Sequence, residues 1–270
     1  MKPKLAIPNI FSDIKELKEF ALENGFSGID WSFDPKELPE TPGEMTKWTK
    51  GVSSLEPLEV RYHCPFHQVD LGDDDLEKAK AATILFQRII RLVSGVGGRY
   101  LTIHIGLGRD STGPLSWWET IVNLRRLVQY GEDHQVKICL ENLAWGWTSR
   151  PNLFEKIIRK SGAAVTFDIG HAWVCEAVRT QAYAIEDFVI PHPDRVLNAH
   201  IYHSEVSGLG HIPPENLESV EQRFSLLLEI GCKWWIIEVK KVDGLLQTKH
   251  IVDEYLTESN RRDMANAMVL

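Results

Sequence analysis

Short runs of β-branched and other apolar residues alternate along this chain with longer segments in which apolar residues recur every three to four positions. The short runs are typical of buried strands, and the longer recurrence is typical of amphipathic helices. Strands are predicted at residues 5–10, 26–31, 58–63, 99–104, 136–141, 164–168, 196–200 and 234–238. Helices are predicted at residues 13–24, 44–53, 73–93, 116–132, 152–160, 174–190, 215–230 and 245–256, with a further helix in the tail.

This regular alternation of strands and helices predicts the fold class. Strands joined by helical crossovers run parallel, and eight such units in about 250 residues match a (β/α)8 TIM barrel, an α/β fold with outer helices. We therefore expect one barrel domain over residues 1–270. A doubly wound open sheet is the alternative, but this sequence lacks the glycine-rich phosphate loop that normally follows an early strand of that fold.

Composition and charge narrow the class of protein. Hydrophobic residues make up 43% of the chain and charged residues 25%, which is typical of a soluble globular protein. The net charge of −8 argues against a nucleic-acid partner, because binding phosphates requires clustered Lys and Arg. The four cysteines form no CxxC pair, residues 1–5 lack the apolar stretch expected of a signal peptide, and no apolar run is long enough to span a membrane. We expect a cytoplasmic protein with free thiols.

Seven of the eight predicted strands end at or beside a residue that can bind a metal or transfer a proton. In a barrel these strand ends converge on one face, where active sites lie. Residues two apart on a strand point the same way, so small and partly polar side chains such as Thr102, Thr166 and Asn198 should form the layer beneath. The strand-end residues are Asp30, His63, His104, Glu141, Asp168, His200 and Glu238.

Four of these residues predict a metal site. The carboxylates of Glu141, Asp168 and Glu238, together with His200, cannot converge on one point as unpaired charges without a cation. Such an oxygen-rich set suits Mn²⁺, Mg²⁺ or Co²⁺ and tolerates Zn²⁺. Adding His63 and His104 would shift the preference toward Zn²⁺.

The motifs around these residues carry a resemblance to a known family. Cys-Leu-Glu141-Asn, Phe-Asp168-Ile-Gly-His171, Asn-Ala-His200-Ile and Ile-Ile-Glu238-Val resemble the strand-end motifs of the xylose-isomerase-like barrels. That superfamily contains sugar isomerases, ketose 3-epimerases and endonuclease IV enzymes. The resemblance implies a divalent ion held by Glu141, Asp168, His200 and Glu238, and proton transfer by the two glutamates.

We therefore expect a divalent-metal-dependent isomerase or epimerase that acts on a sugar or sugar-like polyol by proton transfer next to a carbonyl. One ion of Mn²⁺, Zn²⁺ or Co²⁺ is expected, with Mg²⁺ as a further option. Ketohexose epimerases carry a Glu and an Arg where this chain has Trp147 and Val206, so the resemblance points to a different polyol, a sugar phosphate or an acid. The sequence leaves homo-oligomer formation open.

Residues near the predicted mouth are candidates for substrate contacts. We assign His171, His211, Trp145 and Trp173 to substrate binding, because aromatic rings commonly stack on sugar faces. His63 and His104 are assigned to a second metal or to substrate. Asp30 is expected to cap the turn that follows it. Arg109 and Arg150 are candidates for binding a phosphate group.

Two other functions stay open. The first is a zinc-dependent nuclease of the endonuclease IV type, which by resemblance would add a third zinc ion held by His171 and an Asp-x-His pair. His211 fits the pair's histidine, but Leu209 occupies its aspartate position, so this third site looks incomplete. The second is a non-catalytic ligand-binding barrel. The complete four-residue ligand set argues against it.

Overall fold

A computed structural model describes residues 2–267 of the chain. Within this range eight parallel strands close into a barrel, each paired with its neighbours on both sides. This confirms the predicted TIM barrel and makes the open-sheet alternative wrong. The barrel strands are β1 (Lys4–Pro8), β2 (Gly28–Ser32), β3 (Glu59–Cys64), β4 (Tyr100–Ile103), β5 (Lys137–Glu141), β6 (Ala164–Asp168), β7 (Val196–Ile201) and β10 (Trp234–Ile237).

The helices surround the barrel, and several begin at a residue whose side chain caps them. Asp13, Asp75 and Ser116 each accept a hydrogen bond from the first-turn amides of the helix that follows, which satisfies otherwise unpaired donors. The helices of the described range are α1 (Ile14–Glu23), α2 (Pro42–Ser53), α3 (Leu76–Gly95), α4 (Trp117–Asp133), α5 (Pro151–Ser161), α6 (Ile169–Val174), α7 (Glu176–Arg179), α8 (Glu221–Glu229) and α9 (Val242–Ala267). No helix in residues 2–267 is both long and apolar enough to cross a bilayer.

Side chains alternate along the strands as predicted. Apolar residues such as Leu140 and Phe167 belong to the main core between the strands and helices. The inward-facing residues form a polar layer in which Asn198 donates hydrogen bonds to the hydroxyls of Thr166 (3.0 Å) and Thr102 (3.4 Å). The Arg61 guanidinium enters the same layer and donates to Asn198 Oδ1. This layer lies one inward-facing position below the strand-end ligands.

The structure differs from the prediction after β6 and after β7. The helix predicted at 174–190 is wrong, because Asp168 caps a short helix, α6, that begins at once, and Cys175 is extended and ends it. After β7, Ser204–Val206 (β8) and Gly210–Ile212 (β9) form an antiparallel hairpin that was not predicted. Each of these strands is too short for a periodic pattern to show. The final helix begins at Val242 and continues through the predicted tail helix to Ala267, and residues 268–270 lie outside the described range.

The packing of β2 gives a test of the barrel. A Cβ atom added to Gly28 would lie 2.2 Å from the Trp234 ring and 2.4 Å from the Glu59 carbonyl oxygen. Gly28→Ala should therefore lower the free energy of unfolding by about 2–3 kcal/mol, the usual cost of overpacking. Gly95→Ala is the matched control, because a Cβ there meets nothing within 4 Å, and its effect should stay within about 1 kcal/mol. Equal midpoints for the two variants in denaturant titrations would contradict this packing.

Candidate metal centre

The carboxyl ends of the barrel strands bring ten ligand-type side chains of the described chain into one region at the barrel mouth. All seven strand-end residues singled out in the sequence are among them, joined by three residues from the segments that follow β6 and β7. The set is Asp30 on β2, His63 on β3, His104 after β4, Glu141 on β5, Asp168 on β6, His171 on α6, His200 on β7, Glu205 on β8, His211 on β9 and Glu238 after β10.

The predicted metal ligands form one group, which we call the four-residue cluster. One ligand atom from each of Glu141, Asp168, His200 and Glu238 lies within 4.8 Å of the others. His200 Nδ1 lies 3.3 Å from Glu141 Oε1 and 3.0 Å from Glu238 Oε2, so the two glutamates approach it together. Three members are buried, and the Glu238 side chain keeps 17% of its surface exposed. The cluster is therefore open to a ligand through Glu238.

Unpaired polar atoms in this cluster fit a bound cation. Glu141 Oε2 and both ring nitrogens of His200 are buried, and none of their close contacts among the described residues has the geometry of a hydrogen bond. A buried polar atom without a partner is costly, and a divalent ion would satisfy carboxylate and imidazole ligands at once. The donor set is three carboxylates and one imidazole, which suits Mn²⁺ or Co²⁺ and accepts Zn²⁺.

A second group, the His63 cluster, shares Glu141 with the first. His63 Nε2 and His104 Nε2 lie 3.5 Å and 3.0 Å from Glu141 Oε2. Asp30 Oδ2 lies 3.4 Å from His63 Nδ1, and Asp30 is buried. The expectation that Asp30 caps a turn is therefore wrong, because its carboxylate points into the barrel and faces Nδ1 of His63.

A third group, the hairpin cluster, contains His171, Glu205 and His211. Glu205 pairs across the β8–β9 hairpin with His211, and Glu205 Oε2 lies 3.1 Å from His171 Nε2. Leu209 lies near the hairpin tip and is 75% exposed. The prediction that this site lacks a carboxylate is thus wrong. Glu205, on the hairpin strand opposite His211, provides the carboxylate. It lies five positions after His200, and no local sequence motif identifies it.

The histidines are oriented as metal ligands usually are. Nδ1 of His104, His171 and His211 lies 3.3, 3.0 and 2.7 Å from the backbone carbonyl oxygens of Cys64, Asn142 and Glu238, respectively. A carbonyl only accepts, so Nδ1 carries the proton and Nε2 is left to bind a cation. A backbone bond that fixes the tautomer in this way is the common support of metal-binding histidines.

Asn142 and Tyr202 support the four-residue cluster, and sequence reasoning missed both. The Asn142 side chain donates to the Asp168 carbonyl (2.9 Å) and accepts from the Asp168 amide (2.8 Å). The buried Tyr202 hydroxyl donates to Asp168 Oδ2 at 2.8 Å. Burial raises the pKa of Tyr202 well above its ordinary value, and Asp168 adds to the shift, so the phenol stays a donor. Asn142 adjoins a strand-end glutamate in sequence, which was an available signal.

The candidate substrate residues take different positions. Trp145 follows β5 and is half-buried. Its ring lies beside Gly106, which belongs to the loop after His104. Trp173 is 43% exposed on α6, with the Arg223 guanidinium 5.0 Å from its ring centre. His171 and His211 lie in the hairpin cluster, where they can face either a metal or a substrate.

The two arginines considered for phosphate binding are placed differently from each other. Arg109 is held by Asp70 and Asp73, so its charge is already paired. Arg150 is exposed and precedes α5. Arg109 is therefore not free to bind a phosphate group as the sequence suggested.

Charges of opposite sign overcome the cost of burial in the clusters. Burial would raise the pKa of Glu141, but His200 and His104 lower it well below its ordinary value. Burial would lower the pKa of His200, but Glu141 and Glu238 raise it well above its ordinary value. Burial is likewise outweighed at His171, where Asp168 and Glu205 raise the pKa to about 10. Without a metal, protons on His200 and His171 therefore balance the carboxylates at neutral pH.

Comparison with known proteins places the chain among TIM barrels. A family model described as xylose isomerase-like TIM barrel matches residues 19–257. The chain is 32% identical over 197 residues to Uncharacterized protein MJ0008 of Methanocaldococcus jannaschii, an alignment that covers 73% of this chain and 80% of that protein.

Solved structures share the fold at low sequence identity. A D-tagatose 3-epimerase-like protein has a TM-score of 0.70 at 20% identity, with 96% of this chain and 99% of that chain covered. L-ribulose 3-epimerase has a TM-score of 0.71 at 15% identity, with 98% of each chain covered. Endonuclease IV from Thermus thermophilus has a TM-score of 0.65 at 16% identity, with 95% of this chain and 100% of that chain covered. At these identities the likeness concerns the fold.

The raised histidine pKa values predict that metal binding releases protons. An ion in the four-residue cluster must displace the proton held by His200, so its affinity should rise with pH between about 6 and 8, with about one proton released per ion at neutral pH. Calorimetric titration with Co²⁺ in two buffers of different ionisation enthalpy measures the number released. Binding without proton release at pH 7 would contradict the charge balance described here.

Proposed function

Because the chain belongs to the family of xylose isomerase-like TIM barrels, we propose that it is a divalent-metal-dependent isomerase or epimerase acting on a sugar or sugar-like polyol. The observation that supports this most is the approach of Glu141 and Glu238 to His200, with separations of 3.3 and 3.0 Å. Two carboxylates at one candidate metal position are what a two-sided proton transfer requires.

Glu141, Asp168, His200 and Glu238 would hold the ion. A divalent ion bound there polarises a substrate carbonyl and stabilises the negative charge that develops on its oxygen. One glutamate would remove the proton from the carbon next to the carbonyl, and the other would take up a proton from solvent and deliver it to the opposite face of that carbon. Both start as carboxylates, because burial raises the pKa of Glu141 and of Glu238 but His200 lowers each below its ordinary value. Glu238 is partly exposed and lies nearer the opening, whereas Glu141 is buried against His104.

The rim supports a neutral, sugar-like substrate better than a phosphorylated one. Trp145 and Trp173 offer aromatic faces on which the apolar side of a sugar ring stacks. Arg109 is neutralised by Asp70 and Asp73. The mouth therefore offers aromatic rings and carboxylates to a substrate, and Arg109 is not free to bind a phosphate group.

The two-glutamate mechanism predicts the effect of removing either carboxylate. Glu141→Gln or Glu238→Gln should lower kcat by about 10²–10⁴-fold, the usual contribution of a general acid or base. The control is Glu229→Gln, an exposed glutamate at the end of α8, which should leave kcat unchanged. Deuterium uptake from D2O next to the carbonyl, followed by NMR over a panel of ketoses and polyols, measures the proton transfer directly. Full exchange in both site variants would show that the mechanism is wrong.

A second candidate is metal-dependent hydrolysis of a phosphoester, as in endonuclease IV. Two features favour it: the His63 cluster and the hairpin cluster add further groups that suit a metal beside the four-residue cluster. The net charge of −8 argues against a nucleic-acid substrate, since phosphate contacts rely on clustered positive charge.

A paired assay separates the two candidates. Metal analysis of the purified protein should find one tightly held ion per chain, and the protein should leave duplex DNA containing an abasic site intact under each of Mn²⁺, Co²⁺ and Zn²⁺. Three ions per chain together with DNA cleavage, both diminished by Glu205→Ala, would replace the isomerase with the hydrolase. Glu176→Ala, on the neighbouring α7, is the matched control for removing an acid from this side of the barrel.

A further inference from the structure

The Tyr202 side chain contacts both the four-residue cluster and the hairpin cluster. Its hydroxyl donates to Asp168 Oδ2 at 2.8 Å. Its ring is stacked on the His211 imidazole, with centroids 3.9 Å apart and planes 6° from parallel, and it meets the His171 ring edge-on at 6.0 Å. Tyr202 is fully buried. No other function described above accounts for a phenol at this position.

The hydrogen bond restricts how Asp168 can bind an ion. Asp168 Oδ1 accepts the His171 amide at 2.6 Å as the cap of α6, and Oδ2 accepts the Tyr202 hydroxyl. With one donor on each oxygen, the carboxylate plane is fixed and each oxygen keeps one lone pair. A carboxylate held in this way presents its remaining lone pairs in fixed directions and does not rotate between alternative orientations.

The neighbouring backbone is built to admit the tyrosine ring. A Cβ atom on Gly170 would lie 2.0 Å from Tyr202 Cε2 and 2.5 Å from two further ring atoms. Gly170 has no positive φ that would by itself require glycine. Glycine at this position therefore allows the Tyr202 ring to approach α6 closely. The same helix contains His171.

We propose that Tyr202 is a positioning residue of the metal centre, which fixes the Asp168 carboxylate through its hydroxyl and the His211 imidazole through its ring. This inference rests on the metal-binding part of the proposed function. It assigns no chemical step to the phenol. The ligand geometry at two clusters then depends on one buried side chain that sequence motifs do not reveal.

Two substitutions test the proposal in different ways. Tyr202→Phe keeps the ring and removes only the hydroxyl, so the Kd for Co²⁺ should rise about 10- to 100-fold, the usual effect of losing a partner of a metal ligand. Gly170→Ala keeps the hydroxyl and displaces the ring, so it should raise the Kd in the same direction. In both variants the visible absorption spectrum of bound Co²⁺ should change, because the geometry around the ion changes.

The controls separate positioning from general loss of packing. Tyr62→Phe alters another buried tyrosine, one that stacks on Phe33 and points to the opposite face of β3 from His63. Gly95→Ala adds a methyl group to a helix end with open space around it. Both should retain the wild-type Kd and Co²⁺ spectrum. The thermal midpoint of each metal-free variant reports folding independently of the ion.

The outcomes distinguish this inference from the proposed function. A wild-type protein that binds no ion would overturn the metal centre and the inference with it. Wild-type binding of Co²⁺ with an unchanged Kd and spectrum in Tyr202→Phe would overturn the positioning role alone. An equal loss of affinity in Tyr62→Phe would assign the effect to packing and would also overturn it.

Discussion

The mouth of this barrel depends on the balance of charge among buried carboxylates and imidazoles. Glu141 is buried within 3.5 Å of three histidines, and such a carboxylate is stable only with positive charge beside it. Protons on histidines provide that charge in the metal-free protein, as the raised pKa values of His200 and His171 show. A divalent ion would provide it more completely, since it would also bind the Glu141 oxygen and one of the His200 ring nitrogens that lack hydrogen bonds among the described residues.

The barrel makes this concentration of charge possible by holding each ligand rigidly. The parallel strands deliver the ligands to one end of the barrel, and Asp168 and His200 are direct partners in the pairing of β6 with β7. In the polar layer below them, Asn198 donates hydrogen bonds to Thr102 and Thr166 and accepts one from Arg61. The polar groups of that layer therefore have partners. Backbone carbonyls fix the tautomers of three histidines. Little rearrangement is then needed when an ion binds.

The sequence predicted the parts of the site that depend on strand periodicity. A strand buried on both faces is largely apolar, and a His, Asp or Glu at its carboxyl end marks the mouth, so Glu141, Asp168, His200 and Glu238 were singled out without coordinates. Glu205, Tyr202 and the inward role of Asp30 were not found. Glu205 reaches His171 because a hairpin of two three-residue strands folds over the mouth, and Tyr202 reaches Asp168 because Gly170 leaves room for its ring. Such contacts join residues distant in sequence and leave no periodic signal.

The central claim is that Glu141, Asp168, His200 and Glu238 are ligands to one divalent ion. Diffraction from crystals soaked in Mn²⁺ or Co²⁺, recorded at the absorption edge of the metal, locates the ion directly. We expect an anomalous peak about 2.0–2.3 Å from one atom of each of these four side chains. A peak placed elsewhere at the mouth with these four residues unbound, or no peak after soaking, would contradict it.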